Sequence, residues 1–144
     1  MKAGRVIAIA TLAGLAGTAP TASGTTLISD AEAARAPVSE HSRGITRGPG
    51  IELAAPQDTV TAPFVLHVRF VPHGGAKVDP NSVHVVLLRE PLADLTARLR
   101  PFVTKDGIEL RDAEAPEGAY DLRIDVRDDG GREGLAVVRV SVAR

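Results

Sequence analysis

The chain has 144 residues, with 17 basic and 18 acidic side chains, a formal net charge of −1 and no cysteine. The missing thiols exclude disulfides, thiol catalysis and zinc–thiolate sites. The near-neutral charge gives no general attraction to nucleic acid or to anionic membranes.

Residues 1–24 are typical of a secretory signal peptide. Lys2 and Arg5 precede the apolar run Val6–Ala16, and the small residues Ala22-Ser23-Gly24 form a cleavage signal. A transmembrane anchor is disfavoured, because a bilayer requires about 20 apolar residues and this run is much shorter. We therefore expect a cleaved protein, periplasmic or secreted, with no membrane span. Ala31-Glu32-Ala33 is a later alternative for the cleavage signal.

Residues 25–48 show neither the 2-residue nor the 3.6-residue apolar period of regular structure, and Ala, Ser, Thr, Arg, Gly and Pro dominate. Such a segment buries too little apolar surface to offset the entropy lost on ordering. We therefore predict a disordered linker, in which Ala31–Arg35 is compatible only with a helical turn too short to persist alone. Residues 49–144 have the size of a single domain.

Short strands separated by Pro, Gly, Asn and Asp are predicted throughout that domain. The strands are Ile51–Leu53, Phe64–Phe70, Val83–Leu88, Ile108–Arg111, Tyr120–Arg127 and Gly134–Val142. The third is apolar on both faces and should be central. One helical turn is predicted at Asp79–Ser82. The segment Asp94–Pro101 is compatible with an edge strand or a helical turn, and the turn is favoured.

The last two strands form a hairpin whose register follows from its apolar faces. The even-numbered apolar residues of both strands must share one face, since a slip of one residue would expose one set. A five-residue loop, Asp128–Arg132, satisfies this condition. The predicted pairs are Leu122 with Val138, Ile124 with Ala136, Arg127 with Glu133, and Asp121 with Arg139. The last two join opposite charges, which supports the register.

Five segments carry further turn and strand signals: Gly48–Leu53, Pro63–Phe70, Ala76–Val83, Pro116–Tyr120 and Val126–Gly134. Together they resemble bacterial immunoglobulin-like domains, as found in small exported proteobacterial proteins that consist of one such domain. The resemblance implies an all-β fold, an immunoglobulin-like antiparallel β-sandwich of about seven strands. It implies no catalytic residue. Tyr120 stands where such domains often carry a tyrosine whose hydroxyl bonds a nearby backbone group.

The four histidines, His41, His67, His73 and His84, have no spacing that forces them to converge. Periplasmic sandwiches can bind copper through histidines, so these residues are candidate copper ligands. The rings of His67 and His84 could meet on an outer face only if their strands were neighbours. We predict two solvated side chains and no metal site.

A second candidate cluster consists of the acids near the last turn, Asp121, Asp125, Asp128 and Asp129. Calcium requires several oxygen ligands brought together by a tight loop. Here Asp121 and Asp125 alternate with arginines, as on a solvated strand face. The sequence therefore predicts a turn and not a calcium site.

No motif supports nucleophilic catalysis or a phosphate-binding glycine loop, and a single small sandwich leaves little room for a deep cleft. We predict that the protein is not an enzyme and has no cofactor. Arg43 and Arg47 in the linker are interpreted as solvating groups.

The function that the sequence favours is an exported binding or structural module of the cell envelope. Its partner would be a protein, engaged through a sheet face or an exposed edge strand. Leu135 and Val137, apolar but on the outward face of the last strand, are the hint of such a surface, unless a loop covers them. The alternative function is a periplasmic carrier of a small ligand or a metal.

Overall fold

The computed structural model describes residues 24–40 and 47–144, so residues 1–23 of the predicted signal peptide, His41 and Arg43 lie outside the described residues. The described residues form twelve strands, two short helices and a 3₁₀ turn at Arg100–Phe102. The strands are β1 (Thr25–Thr26), β2 (Ala36–Pro37), β3 (Gly50–Ala55), β4 (Val60–Thr61), β5 (Phe64–Val71), β6 (Val78–Leu87), β7 (Arg89–Glu90), β8 (Ala93–Asp94), β9 (Val103–Thr104), β10 (Gly107–Glu114), β11 (Gly118–Asp128) and β12 (Glu133–Ala143). The helices are α1 (Asp30–Ala33) and α2 (Thr96–Leu99).

Two sheets enclose one core. The first has the order β1-β10-β5-β3 with β9 also on β10, and the second has the order β4-β12-β11-β6-β8. The chain changes sheets between β3 and β4, because β3 pairs with β5 whereas β4 pairs in parallel with β12. These connections give the predicted all-β, immunoglobulin-like antiparallel sandwich, and the fold class is confirmed. The described residues form twelve strands and not about seven, and six of the twelve have only two residues.

The core is built from strands that bury every second residue. Phe64, Leu66, Val68 and Phe70 of β5 point inward, as do Tyr120, Leu122, Ile124 and Val126 of β11. Each large apolar side chain contributes about 1.5–3 kcal/mol when fully buried. The Tyr120 hydroxyl donates a hydrogen bond of 2.7 Å to the carbonyl of Pro116. The predicted structural role of this tyrosine is therefore confirmed.

The β11–β12 hairpin has the predicted register at every pair named above. Arg139 Nε lies 2.7 Å from Asp121 Oδ1, and Arg127 lies 4.0 Å from Glu133. The buried Asp128 carboxylate organises the turn by accepting hydrogen bonds from the backbone N–H groups at 130 and 132. Gly131 adopts a φ of +78°, a left-handed conformation that favours glycine.

The helical turn predicted at Asp79–Ser82 is wrong, because these residues belong to β6. The Asp79 carboxylate accepts a hydrogen bond from the N–H of Asn81, as a helix cap would. However, Val78 and Asp79 pair with Asp128 and Arg127 of β11, and this ladder holds the chain extended. The turn favoured at Asp94–Pro101 is confirmed as α2, and Asp94 Oδ1 accepts from Thr96 N–H at 2.9 Å.

The predicted disordered linker is wrong for residues 25–40. Residues 24–40, here called the N-terminal strap, pack on the sandwich: β1 pairs in parallel with β10, and β2 pairs with β7. Leu27 and Ile28 are 0% and 2% exposed and join the hydrophobic core. The short helix α1 is stabilised by a capping box between Ser29 and Glu32. The burial of Leu27 and Ile28, together with this cap, offsets the conformational entropy that the strap loses on ordering. The average composition of the segment does not reveal this contribution.

An ion pair between a buried carboxylate and a half-buried arginine fixes the strap to α2. Both nitrogens of the Arg98 fork donate to the Glu32 carboxylate, at 2.7 and 2.8 Å, and one also donates to the carbonyl of Leu27 at 3.0 Å. The hydrogen bonds from Arg98 lower the pKa of Glu32 to about 2, although burial acts in the opposite direction. The ionised carboxylate is thus strongly favoured in the folded protein.

Candidate functional site

The outer face of the second sheet carries two rows of side chains at its centre. In the first row, Asp125 of β11 lies between His84 of β6 and Leu135 of β12. In the second row, Arg123 lies between Val86 and Val137. We call these six residues the central patch. Apolar side chains flank the arginine on both sides, and all three of Leu135, Val86 and Val137 are half-buried.

A strand irregularity lies at one end of the central patch. The β6–β11 register shifts between Asp125 and Arg127, so that part of β6 bulges out. The Ser82 hydroxyl fills the gap in the ladder: it accepts from the N–H of Arg127 at 2.8 Å and donates to the carbonyl of Asp79 at 2.7 Å. Bulges often lie next to functional sites because they redirect side chains.

The bulge leaves a shallow polar cavity of about 140 Å³ beside the patch. Its lining residues are Ser82, His84, Asp125, Val126, Arg127 and Glu133. Serine, histidine and aspartate together suggest nucleophilic catalysis, but the Ser82 hydroxyl is already committed to two backbone groups. The cavity is therefore better suited to contact a polar group than to attack one.

Arg123 and Asp125 are incompletely satisfied. One terminal nitrogen of Arg123 donates to both oxygens of Glu40 in the strap, at 3.0 and 3.2 Å. Arg123 Nε is buried, lies 3.5 Å from Asp125 Oδ2, and has no hydrogen-bond partner among residues 24–40 and 47–144. Burial raises the pKa of the Asp125 carboxyl, and the charge of Arg123 offsets part of that rise. An unsatisfied buried donor and a desolvated carboxyl are unusual in a purely structural strand face.

The histidines considered in the sequence do not come together. His67 lies on β5 in the first sheet and His84 on β6 in the second, each on the outward side of its strand. Their rings therefore face opposite sides of the sandwich. His73 lies in the exposed loop between these strands, where its carbonyl accepts a long hydrogen bond from Arg132.

Each candidate acid has a partner of its own. Asp121 pairs with Arg139, and Asp125 lies next to Arg123. Asp128 is bound by its own turn, and Asp129 accepts from the backbone N–H of Lys77. In the described part of the chain, no group of three or more His, Asp or Glu side chains could hold a metal ion. None of the helices described is long and apolar enough to cross a bilayer.

The sequence predicts four of the six residues of the central patch. The hairpin register alone places Asp125 opposite Leu135 and Arg123 opposite Val137. The contributions of His84, Val86 and Glu40 were not predicted, because they depend on the pairing of β6 with β11 and on the path of the strap. Leu135 and Val137, chosen as the hint of a surface, do lie on the outward face.

Comparisons with known proteins add little to this geometry. No family model matches the chain, and no curated protein matches its sequence. A solved structure, CopC from Methylosinus trichosporium OB3b, shares 15% identity with it and gives a TM-score of 0.43. That match covers 65% of this chain and 92% of that chain. A likeness of this extent carries no argument about function.

Proposed function

We propose that the protein is an exported binding module of the cell envelope that engages a protein partner through the central patch. The observation that supports this most is the buried Arg123 Nε with no acceptor in the described chain, set between apolar neighbours. A partner that supplies a carboxylate or carbonyl oxygen can bind the part of the Arg123 guanidinium that remains exposed, and a shift of this side chain towards the partner would give Nε an acceptor. Arginine surrounded by apolar side chains is also the typical composition of an energetic centre in interfaces.

The sheet edges are poorly suited to strand addition, which favours the outer sheet face as the binding surface. The outermost strands β1, β4, β8 and β9 have only two residues each. The remaining outer strand, β3, begins close to β12, because a Cβ atom on Gly134 would collide with the carbonyl oxygen of Pro49 just before β3. In the middle of β10, the register with β5 shifts between Leu110 and Ala113, which further disfavours added strands. Short and bulged edges are how sandwiches avoid pairing with other chains.

The outer face of the first sheet provides a contrast within the same molecule. Its charged side chains already pair with each other: Arg69 with Glu52 at 2.6 Å, and Arg111 with Glu109 at 2.9 Å. It carries one exposed apolar residue, Val65. This face supplies the matched control for any test of the central patch.

The experiment compares capture of envelope proteins by three forms of the tagged, exported protein: wild type, Val137→Lys in the central patch and Val65→Lys on the first sheet. We expect V137K to lose at least about tenfold of the capture of a specific protein, and V65K to keep it. Thermal melting of each variant checks that both remain folded. Arg123→Lys, which keeps the charge but lacks Nε, should weaken the same capture.

Equal capture by wild type and V137K, or loss in V65K alone, would contradict the proposal. Native mass spectrometry of the exported protein provides a second check. A stoichiometric metal or small molecule retained by the protein, with no partner captured, would favour the carrier function instead.

A further inference from the structure

The N-terminal strap bears on how the chain is processed. The sequence offers two cleavage signals, one ending at Gly24 and one ending at Ala33. We infer that export processing breaks the Gly24–Thr25 peptide bond and that residues 25–40 remain as a permanent part of the folded protein. Water adds across this bond, which leaves a carboxylate on Gly24 and an ammonium group on Thr25.

Cleavage after Ala33 would remove part of the core. Leu27 and Ile28 are almost completely buried and belong to the hydrophobic core, and both would be lost. The same cleavage would remove Glu32 and leave the Arg98 guanidinium without the carboxylate that accepts two of its hydrogen bonds. The loss of the two apolar side chains leaves part of the core unfilled, and the loss of Glu32 leaves Arg98 unpaired. Both changes destabilise a folded protein.

Cleavage after Gly24 keeps all of these contacts and places the new charge favourably. The Thr25 hydroxyl donates to Asp112 Oδ1 at 3.2 Å. The N–H of Gly24 donates to Glu114 Oε1 at 3.0 Å, and this one bond is given up when Gly24 leaves. The new ammonium group therefore forms beside two carboxylates. Its attraction to them is modest, because Thr25 is only half-buried and solvent screens the charges.

The test expresses the full chain in a secreting bacterium and measures the intact mass of the exported product. We expect the mass of residues 25–144. The decisive variant is Leu27→Ala, with Leu122→Ala in β11 as its matched control. If Gly24–Thr25 is the bond, both exported variants carry their mass change. Both should also show an unfolding equilibrium constant raised at least about 30-fold over wild type.

If the later signal were used, exported L27A would be identical to the wild type in mass and in melting, whereas L122A would still differ. That result, an unprocessed product, or a product that begins at any other residue would overturn the inference. Should L27A accumulate too poorly to melt, the milder Glu32→Gln variant reports its mass change in the same way. This inference rests on the export part of the proposed function. None of these outcomes depends on a partner for the central patch, so the binding part of the proposed function is tested separately.

Discussion

The C-terminal hairpin and the N-terminal strap are held to the same core by different means. The hairpin has ten paired positions between β11 and β12, and nearly every inward residue of β11 is buried. The strap has two two-residue strands and one helical turn. Its attachment depends on Leu27, Ile28 and the Glu32–Arg98 pair.

The two regions differ in how many residues contribute to the stabilising free energy. In the hairpin each residue adds a cross-strand pair and every second pair exchanges ladder hydrogen bonds, so the stabilising free energy is spread over many small contributions. In the strap a few side chains make most of the stabilising contacts: Leu27 and Ile28 pack into the core of the sandwich, and Glu32 pairs with Arg98 of α2. The strap should therefore be sensitive to single substitutions at its anchors and tolerant elsewhere.

The largest expected effect compares Leu27→Ala in the strap with Leu122→Ala in the hairpin. Both side chains are essentially inaccessible to solvent. Removing either leaves a cavity, and we expect each to lower the free energy of unfolding by about 2–5 kcal/mol. Urea unfolding of the processed chain measures this. A loss below about 1 kcal/mol for L27A, beside a normal loss for L122A, would show that the strap is only peripherally attached.

This contrast also explains what the sequence reveals. The hairpin, the inward face of β5 and the role of Tyr120 follow from alternation and turn residues, which are local signals. The strap has no period: Leu27 and Ile28 are adjacent apolar residues whose meaning depends on a space in the distant sandwich. For the same reason Arg123 and Asp125 could be placed opposite their β12 neighbours, but the bulge at Ser82 and the approach of Glu40 could not be foreseen.

A smaller effect is expected at the anchor carboxylate. Glu32→Gln keeps the shape but removes the charge that Arg98 binds, and we expect a loss of about 1.5–3 kcal/mol at pH 7. The hairpin control is Asp121→Asn, which breaks the exposed pair with Arg139 and should lose less. Urea unfolding at pH 7 distinguishes them. An equal or larger loss in D121N would mean that the burial of the strap pair adds nothing.

The difference in the free energy of unfolding between wild type and E32Q should depend on pH. The pKa of Glu32 falls from 4.5 to about 2 on folding, so its contribution is complete above pH 4.5 and is lost as the pH falls towards 2. The advantage of wild type over E32Q, at most about 3 kcal/mol, should shrink across that interval. Other carboxylates titrate equally in both proteins and cancel in the difference. An advantage that stays constant from pH 5 to pH 2 would contradict the ion-pair account.

The smallest effect has the opposite sign and lies in the hairpin. Asp125 also neighbours an arginine, but the contact is a single one of 3.5 Å, and burial raises its pKa. A raised pKa means that stability is lost as the pH rises through it, so the ionised carboxyl is a net cost at neutral pH. Asp125→Asn should therefore leave the free energy of unfolding unchanged or raise it by less than about 1 kcal/mol at pH 7, with no gain at pH 3. If D125N instead destabilises the protein at pH 7, Asp125 is a structural partner of Arg123. If D125N is neutral or stabilising but weakens capture of the partner, the ionised Asp125 lowers stability in exchange for binding, as expected if the central patch is the binding surface.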